Sequence, residues 1–319
     1  MARTWTPADL PALDGRRIVV TGANSGIGFA ATRLFADAGA TVVMACRTAD
    51  RAAAAAEELR GDVPDADLDP RACDLASLDS VADFAADYRA DYEALDVLCN
   101  NAGVMAIPRS ETADGFEEQF GVNHLGHFAL TGHLLPALLA SPDEARVVTQ
   151  SSGLHERGEM DFDDLMGERS YDKWAAYGQS KLANLLFAYE LDRRADAAGL
   201  DLVSVGCHPG YADTGLQARG PEREGSRLRG AMMTVANALF AQSAAVGAEP
   251  LVYAATGDDL TGGEYVGPGG LFGMRGHPER QDSSEASYDE ASAERLWDVS
   301  TALTGVSYDE LKSALTADD

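Results

Sequence analysis

The chain has 319 residues, 52 acidic and 25 basic, and a formal net charge of −27. Its 45% hydrophobic and 24% charged content marks a globular protein and excludes a disordered acidic tail. A body this negative is repelled by nucleic acid and anionic membrane surfaces, so both are excluded as default partners, and a nucleotide phosphate needs a local positive pocket.

Arg16–Ala23 is a β-branched run ending in a glycine turn, which predicts a buried strand, and Gly26–Ala38 follows with Ile27, Ala31, Leu34 and Phe35 at helical spacing. Thr41–Cys46 predicts a second strand and Asp50–Arg60 an alanine-rich helix. A third strand falls within Asp67–Leu75, and Ser80–Asp91 is a helix with Val81, Phe84, Ala85 and Tyr88 on one face. Leu95–Cys99 is the fourth strand, followed by helix to about Ala140; Arg146–Gln150 is the fifth. Trp174–Ala197 predicts a helix, Leu202–Cys207 the sixth strand, Ala231–Thr256 a further helix and Glu264–Val266 a seventh strand. Strict β/α alternation with apolar strands implies one doubly wound α/β domain over residues 14–270, its mostly parallel seven-stranded sheet covered by helices on both faces. Residues 271–319 form an acidic C-terminal extension whose short amphipathic helix, Ala291–Leu303, is expected to dock back on the body.

The start MARTWTPADL has no secretory pattern. The uncharged stretches Gly121–Pro142 and Gly230–Ala248 read as buried helices and not as membrane spans. Cys46, Cys73, Cys99 and Cys207 show no CxxC spacing, which predicts buried thiols in a reducing cytoplasm. Asp (32) exceeds Glu (20), and the basic residues are 22 Arg with only Lys173, Lys181 and Lys312. Such acidity predicts a salt-adapted, halophilic surface, with GC-rich genome composition as the competing account.

The first strand runs into Thr21-Gly22-Ala23-Asn24-Ser25-Gly26-Ile27-Gly28 and then a helix. A glycine turn in that place lets backbone N–H groups and a helix N-terminus approach a pyrophosphate, which predicts a dinucleotide site. The second strand ends in Cys46-Arg47, with no acidic residue before Asp50. An acid there would take a ribose 2′-hydroxyl; Arg47 instead suits a 2′-phosphate, with Ser25 or Asn24 helping, so NADP(H) is favoured over NAD(H). Tyr177 and Lys181, at i and i+4, share one helix face, and an ammonium beside a phenol is expected to lower its pKa toward a useful range. Ser151 and Ser152 alternate in direction, so one faces the site. His124 and His127 lie one turn apart, yet no Asp, Glu or Cys accompanies them, and no metal site is assigned. His208 reads as a strand-end residue beside the cofactor.

The spacing GxxxGxG, Asn100-Asn101-Ala102-Gly103 after the fourth strand, Asn123 in FGVNHLGHF, Ser151-Ser152, Tyr177-x-x-x-Lys181 and Pro209-Gly210 with Thr214 together resemble the short-chain dehydrogenase/reductase family. Finer motifs (TGANSGIG, ACR, NNAGVM, SSGLH, YGQSKLANLLF, HPGYADT) resemble its retinol-dehydrogenase-like branch. The resemblance implies a Rossmann fold and an NADP(H)-dependent hydride transfer on a small or lipophilic carbonyl or alcohol. It implies Tyr177 as general acid/base, Lys181 as its tuner and a ribose contact, Ser152 as the group that orients the substrate oxygen, and Asn123 as the support of a proton relay. Cofactor contacts are implied for Gly22, Asn24, Ser25, Gly26, Ile27, Gly28, Arg47, Asp74, Leu75, Asn101, Ala102, Gly103, Tyr177, Lys181, Pro209, Gly210 and Thr214. It also implies a substrate lid at about 211–248, and a homodimer or homotetramer paired through the helices holding Asn123 and Tyr177. A non-catalytic nucleotide sensor on the same fold and an enoyl reductase are the alternatives.

Overall fold

The computed structural model describes residues 5–210, 243–270, 273 and 275–311. Eight strands form one sheet: β1 (Arg17–Thr21), β2 (Thr41–Cys46), β3 (Leu68–Ala72), β4 (Val97–Asn100), β5 (Ala145–Gln150), β6 (Leu202–Cys207), β7 (Tyr265–Pro268) and β8 (Pro278–Gln281). Their order is β3-β2-β1-β4-β5-β6-β7-β8, parallel throughout except for antiparallel β7–β8. The helices are α1 (Gly26–Asp37), α2 (Ala49–Asp62), α3 (Leu78–Asp91), a short α4 (Glu118–Phe120), α5 (Gly126–Leu139), α6 (Lys173–Ala197), α7 (Ala244–Thr256) and α8 (Glu290–Thr304).

Both sheet faces are buried, which is why the strands read as continuous apolar runs. Successive side chains alternate: Ile18, Val20, Val42 and Met44 pack under α1, α2 and α7, while Val19, Val43, Leu98 and Val147 pack under α3, α5 and α6. The order reverses between β1 and β4, so the crevice outside the carboxyl ends of the strands opens there.

Two expectations are corrected. The sheet has eight strands, not seven, because the chain returns after β7 to pair with it antiparallel as an eighth strand. The eighth, Pro278-Glu279-Arg280-Gln281, is a polar edge strand opened by proline, so it lacks the apolar alternation that marks a buried strand. The segment after β4 is irregular up to Glu117, with a turn at Thr112–Gly115, before helix begins at α4. The predicted helix over Ala231–Thr256 is described only as α7, and the proposed lid up to residue 242 lies outside the described residues, as does Thr214.

α8 lies over the apolar face of α5 and α6. Ala293 and Leu296 pack on Phe120, Leu125, Leu182 and Leu186, and Trp297 contacts Phe128 and Phe187 with ring centroids 5.3 and 5.9 Å apart. The following turn is anchored by the Tyr308 hydroxyl, which donates to the Phe128 carbonyl at 2.6 Å. Among the described residues no helix is long and apolar enough to cross a membrane.

Candidate active site

A cleft of about 540 Å³ lies at the carboxyl ends of β1–β6. Its dinucleotide end is made by the turn after β1. Gly22 and Gly26 adopt φ of +69° and +57°, the left-handed region that a side chain disfavours. Gly28 is required by contact instead: a Cβ there would meet the Gly22 carbonyl oxygen at 2.4 Å and Asn101 Nδ2 at 2.6 Å. The turn is stapled to the β4 end, because Thr21 Oγ1 accepts from the Asn101 and Ala102 N–H groups, each at 2.9 Å, and Asn101 Nδ2 donates to the Thr21 carbonyl at 2.7 Å. Ser25 is the N-cap of α1, yet its hydroxyl makes no capping bond. An uncommitted hydroxyl and the free N–H groups of a helix's first turn face the cleft together, an arrangement suited to phosphate.

Beyond β2, Arg47 lines the cleft with its Nε 3.6 Å from Asp74 Oδ1. Both side chains are over a third exposed, so this pair is weak and a stronger anion can replace the carboxylate. Arg51, one turn into α2, also lines the cleft. The sequence reading missed it, although its i+4 spacing from Arg47 in so acidic a chain was the available signal.

The chemical end is built on β5 and α6. Gly158 and Gly178 pack so closely that a Cβ on Gly158 would meet the Gly178 carbonyl oxygen at 2.4 Å, which seats the turn after β5 against the residue next to Tyr177. Ser151 points away, donating to the Lys181 carbonyl at 2.7 Å. Ser152 faces the cleft beside the Tyr177 phenol, and its Oγ accepts from Leu154 N–H at 3.3 Å. Tyr177 and Lys181 are buried, with Nζ 5.8 Å from the phenol ring centroid. Nζ donates to the Gln150 carbonyl at 3.1 Å, and no carboxylate pairs with it among the described residues.

The expected lowering of the Tyr177 pKa is not found. Burial pushes the phenol up to about 12, and the neighbouring Ser152 hydroxyl only partly opposes this. The same burial brings Lys181 down to about 8, with the Cys207 thiol opposing it weakly. Burial destabilises the charged form of both groups.

Asn123 lies behind the cleft wall at zero exposure, in a π-helical turn, Gly121–Leu125, that joins α4 to α5. Its Nδ2 donates to the Val104 carbonyl and to Ser180 Oγ, both at 2.9 Å, and its Oδ1 accepts from Val104 N–H at 2.8 Å. The amide therefore holds the wall and has no donor left for a relay. His127 Nδ1 bonds the Asn123 carbonyl at 3.0 Å, and its Nε2 bonds Thr21 Oγ1 at 2.9 Å. His124 is enclosed by Phe120, Phe128 and Phe187, with Nε2 2.8 Å from Ser300 Oγ. Burial pushes these two imidazoles down to about 4 and about 3, so both are neutral packing residues. No three His, Cys, Asp or Glu side chains converge on a metal position among the described residues. His208 faces β8, not the cleft: its Nε2 bonds Gln281 Oε1 at 3.1 Å and its ring stacks on Tyr265.

Asn24, Ile27, Leu75, Gly103, Pro209 and Gly210 complete the set of sequence-nominated residues that line the cleft. Several liners were not nominated: Gln150, whose buried Oε1 has no partner among the described residues, and the apolar Val104, Met105, Leu154 and Trp174. Trp174 sits one turn before Tyr177 on α6 and is 46% exposed, so its i−3 spacing was the readable signal.

The family model for short chain dehydrogenases matches residues 16–225. Human retinol dehydrogenase 13 is 40% identical over 297 residues, covering 92% of this chain and 86% of the human protein. A Mycobacterium paratuberculosis crystal structure, of a protein described as uncharacterized, is 41% identical with a TM-score of 0.79, covering 96% of this chain and 99% of that one. A Beutenbergia cavernae structure described as an NAD(P)-dependent gluconate 5-dehydrogenase with bound NADP is 30% identical with a TM-score of 0.57, covering 77% of this chain and 91% of that one.

Proposed function

The chain belongs to the short-chain dehydrogenase family, and from that premise we propose that its cleft performs reversible hydride transfer between NADP(H) and the carbonyl or alcohol of a lipophilic substrate. One observation carries the reading: Ser152, Tyr177 and Lys181 converge at one end of a cleft whose other end is a glycine turn with an uncommitted hydroxyl and two arginines. The residues fit a dinucleotide, since the close approach at Gly22 and Gly28 leaves room for no side chain. Bound there, the nicotinamide supplies or takes the hydride.

In this reading Ser152 Oγ holds the substrate oxygen, and Tyr177 gives it a proton in reduction or removes one in oxidation. Lys181 supports charge on the phenol and reaches the ribose hydroxyls. Asn123 contributes by shaping the wall behind Gly103 and Val104, and any part it has in a relay runs through its main-chain carbonyl. The apolar liners Val104, Met105, Leu154 and Trp174 suit a lipophilic substrate, as does the name of the human relative. A cytoplasmic setting belongs to the same reading and is supported by four free, buried cysteines. A homodimer or homotetramer belongs to the same reading; α8 packs along α6, and light scattering reads the oligomeric state.

NADP(H) preference rests on Arg47 and Arg51 at the β2 end, and is supported by the NADP in the Beutenbergia structure. Arg47→Ser is expected to lower the NADPH-to-NADH ratio of kcat/KM by ~10-fold or more, the scale of one charge-assisted hydrogen bond. Turnover with NADH should change by less than about threefold. An unchanged ratio would remove Arg47 from the assignment. The reaction itself is tested by following cofactor oxidation over a panel of apolar ketones and aldehydes.

A further inference from the structure

His155 is used by neither the cofactor nor the substrate assignment, yet it is 2% exposed and grips the turn that carries Ser152. The Ser152 carbonyl receives two hydrogen bonds, both from His155: the main-chain N–H at 2.9 Å and ring Nδ1 at 2.7 Å. A carbonyl can only accept, so Nδ1 carries a proton. On the other side of the ring, the Ser284 main-chain N–H donates to Nε2 at 3.1 Å. A backbone N–H can only donate, so Nε2 must be bare. The two partners together admit one protonation state, the neutral Nδ1–H tautomer.

The ring is fixed in space as well. It stands edge-on to Tyr265 at 5.4 Å and 75°, with the Tyr265 hydroxyl 3.5 Å from Nδ1. Ser284 opens a short 3-10 turn, Glu285–Tyr288. That turn is held to α6 by Tyr189, which bonds Ser283 Oγ at 2.8 Å and stacks on Tyr288 at 5.2 Å. The Ser152 hydroxyl has few other restraints, since it accepts one long bond from Leu154 N–H and meets Tyr177.

We propose that His155 is a positioning residue for the reaction: its ring, oriented by Ser284 N–H, fixes the Ser152 carbonyl and through it aims the Ser152 hydroxyl at the substrate oxygen beside Tyr177. The C-terminal strap thereby becomes part of the site's support, although Ser284 lies 129 positions from His155 in sequence. This inference rests on the role proposed for Ser152.

The test is a double-mutant cycle in the full-length chain with NADPH and an accepted carbonyl, comparing Ser152→Ala, His155→Phe and their combination. His155→Phe keeps a ring against Tyr265 and removes the two hydrogen bonds made by the imidazole, to the Ser152 carbonyl and from Ser284 N–H, leaving the main-chain bond. It is expected to lower kcat by ~10-fold or more while KM for NADPH stays within about twofold, the pattern of lost alignment. The double variant should fall no further than Ser152→Ala alone, because both changes act through one hydroxyl. His155→Gln, whose amide offers one donor and one acceptor, should recover kcat to within about threefold of the parent. A packing defect would instead add to the Ser152→Ala loss and would not be rescued by Gln. Additive losses, or parental kcat in His155→Phe, overturn the inference. Should His155→Phe fail to fold, Ser284→Pro replaces it: φ of −67° at that position suits proline, and the proline Cδ takes the place of the N–H, so Nε2 loses its orienting donor. Parental kcat in Ser284→Pro also overturns the inference. Failure of the underlying function reads differently, since Ser152→Ala would then itself keep full turnover.

Discussion

Tyr177→Phe is expected to lower kcat by ~10²–10⁴-fold while NADPH binding changes by less than about threefold, the loss typical of a missing acid or base. In the proposed reaction the phenol is the group, among the described residues lining the cleft, that exchanges a proton with the oxygen held by Ser152. Its removal leaves Ser152 Oγ with the Leu154 N–H bond, so stability should move by no more than about 1 kcal/mol. The direction of the pKa fixes the pH behaviour. With Tyr177 pushed up to about 12, its acid form persists far above neutrality, so carbonyl reduction keeps its proton donor across the working range. Alcohol oxidation needs the phenolate and must rise with pH. A flat pH profile for reduction against a rising one for oxidation, both activities lost in Tyr177→Phe, is the readout.

Lys181→Met separates function from stability. Burial takes the ammonium from its ordinary 10.5 to about 8, so the unfolded chain binds this proton more tightly than the native one. The sign follows directly: the group's stabilising contribution is complete above pH ~10.5, falls as pH drops toward 8, and is absent at neutrality. That withheld contribution is on the order of 3 kcal/mol. Methionine fills the same space without a charge, and the Gln150 carbonyl keeps its bond from Asn184 Nδ2 at 2.9 Å. After allowing for the lost Nζ bond, Lys181→Met should stabilise the fold at pH 7 by about 1–2 kcal/mol and raise Tm by a few degrees, with the gain vanishing above pH ~10.5. Turnover should fall ~10²-fold or more, because the charge that supports the phenol is gone. Thermal unfolding at pH 7 and pH 11 reads the first effect, and steady-state kinetics the second. A Tm that falls at neutral pH would show that Lys181 is held by more than the Gln150 carbonyl.

The parts of this site that are local in sequence were readable from it. The strand before Gly22, the helix after Ser25 and the Tyr177–Lys181 pair each need only a few neighbouring residues to declare themselves. What depends on distant neighbours was not readable. Asn123 was expected to serve a relay, but its amide is consumed by Val104 and Ser180, 19 and 57 positions away. The Tyr177 pKa moved opposite to expectation because the pairing with Lys181 is visible in sequence and the burial of both is not. β8 escaped detection because an edge strand carries no apolar alternation. α8 was recognisable as a helix, yet its docking on α5 and α6 is a tertiary fact. Trp174, one helical turn before Tyr177, and Arg51, four residues after Arg47, were within reach.

The central claim is that this cleft moves a hydride between a nicotinamide and a carbonyl carbon with Tyr177 supplying the proton. Its most direct test is mass spectrometry of the product formed from NADPH deuterated at the transferred position of nicotinamide C4, with a reducible ketone and either the parent chain or Tyr177→Phe. The account predicts one deuterium on the new alcohol carbon with the parent chain and next to none with Tyr177→Phe. Unlabelled alcohol from the parent, or full deuterium transfer by Tyr177→Phe, would contradict it.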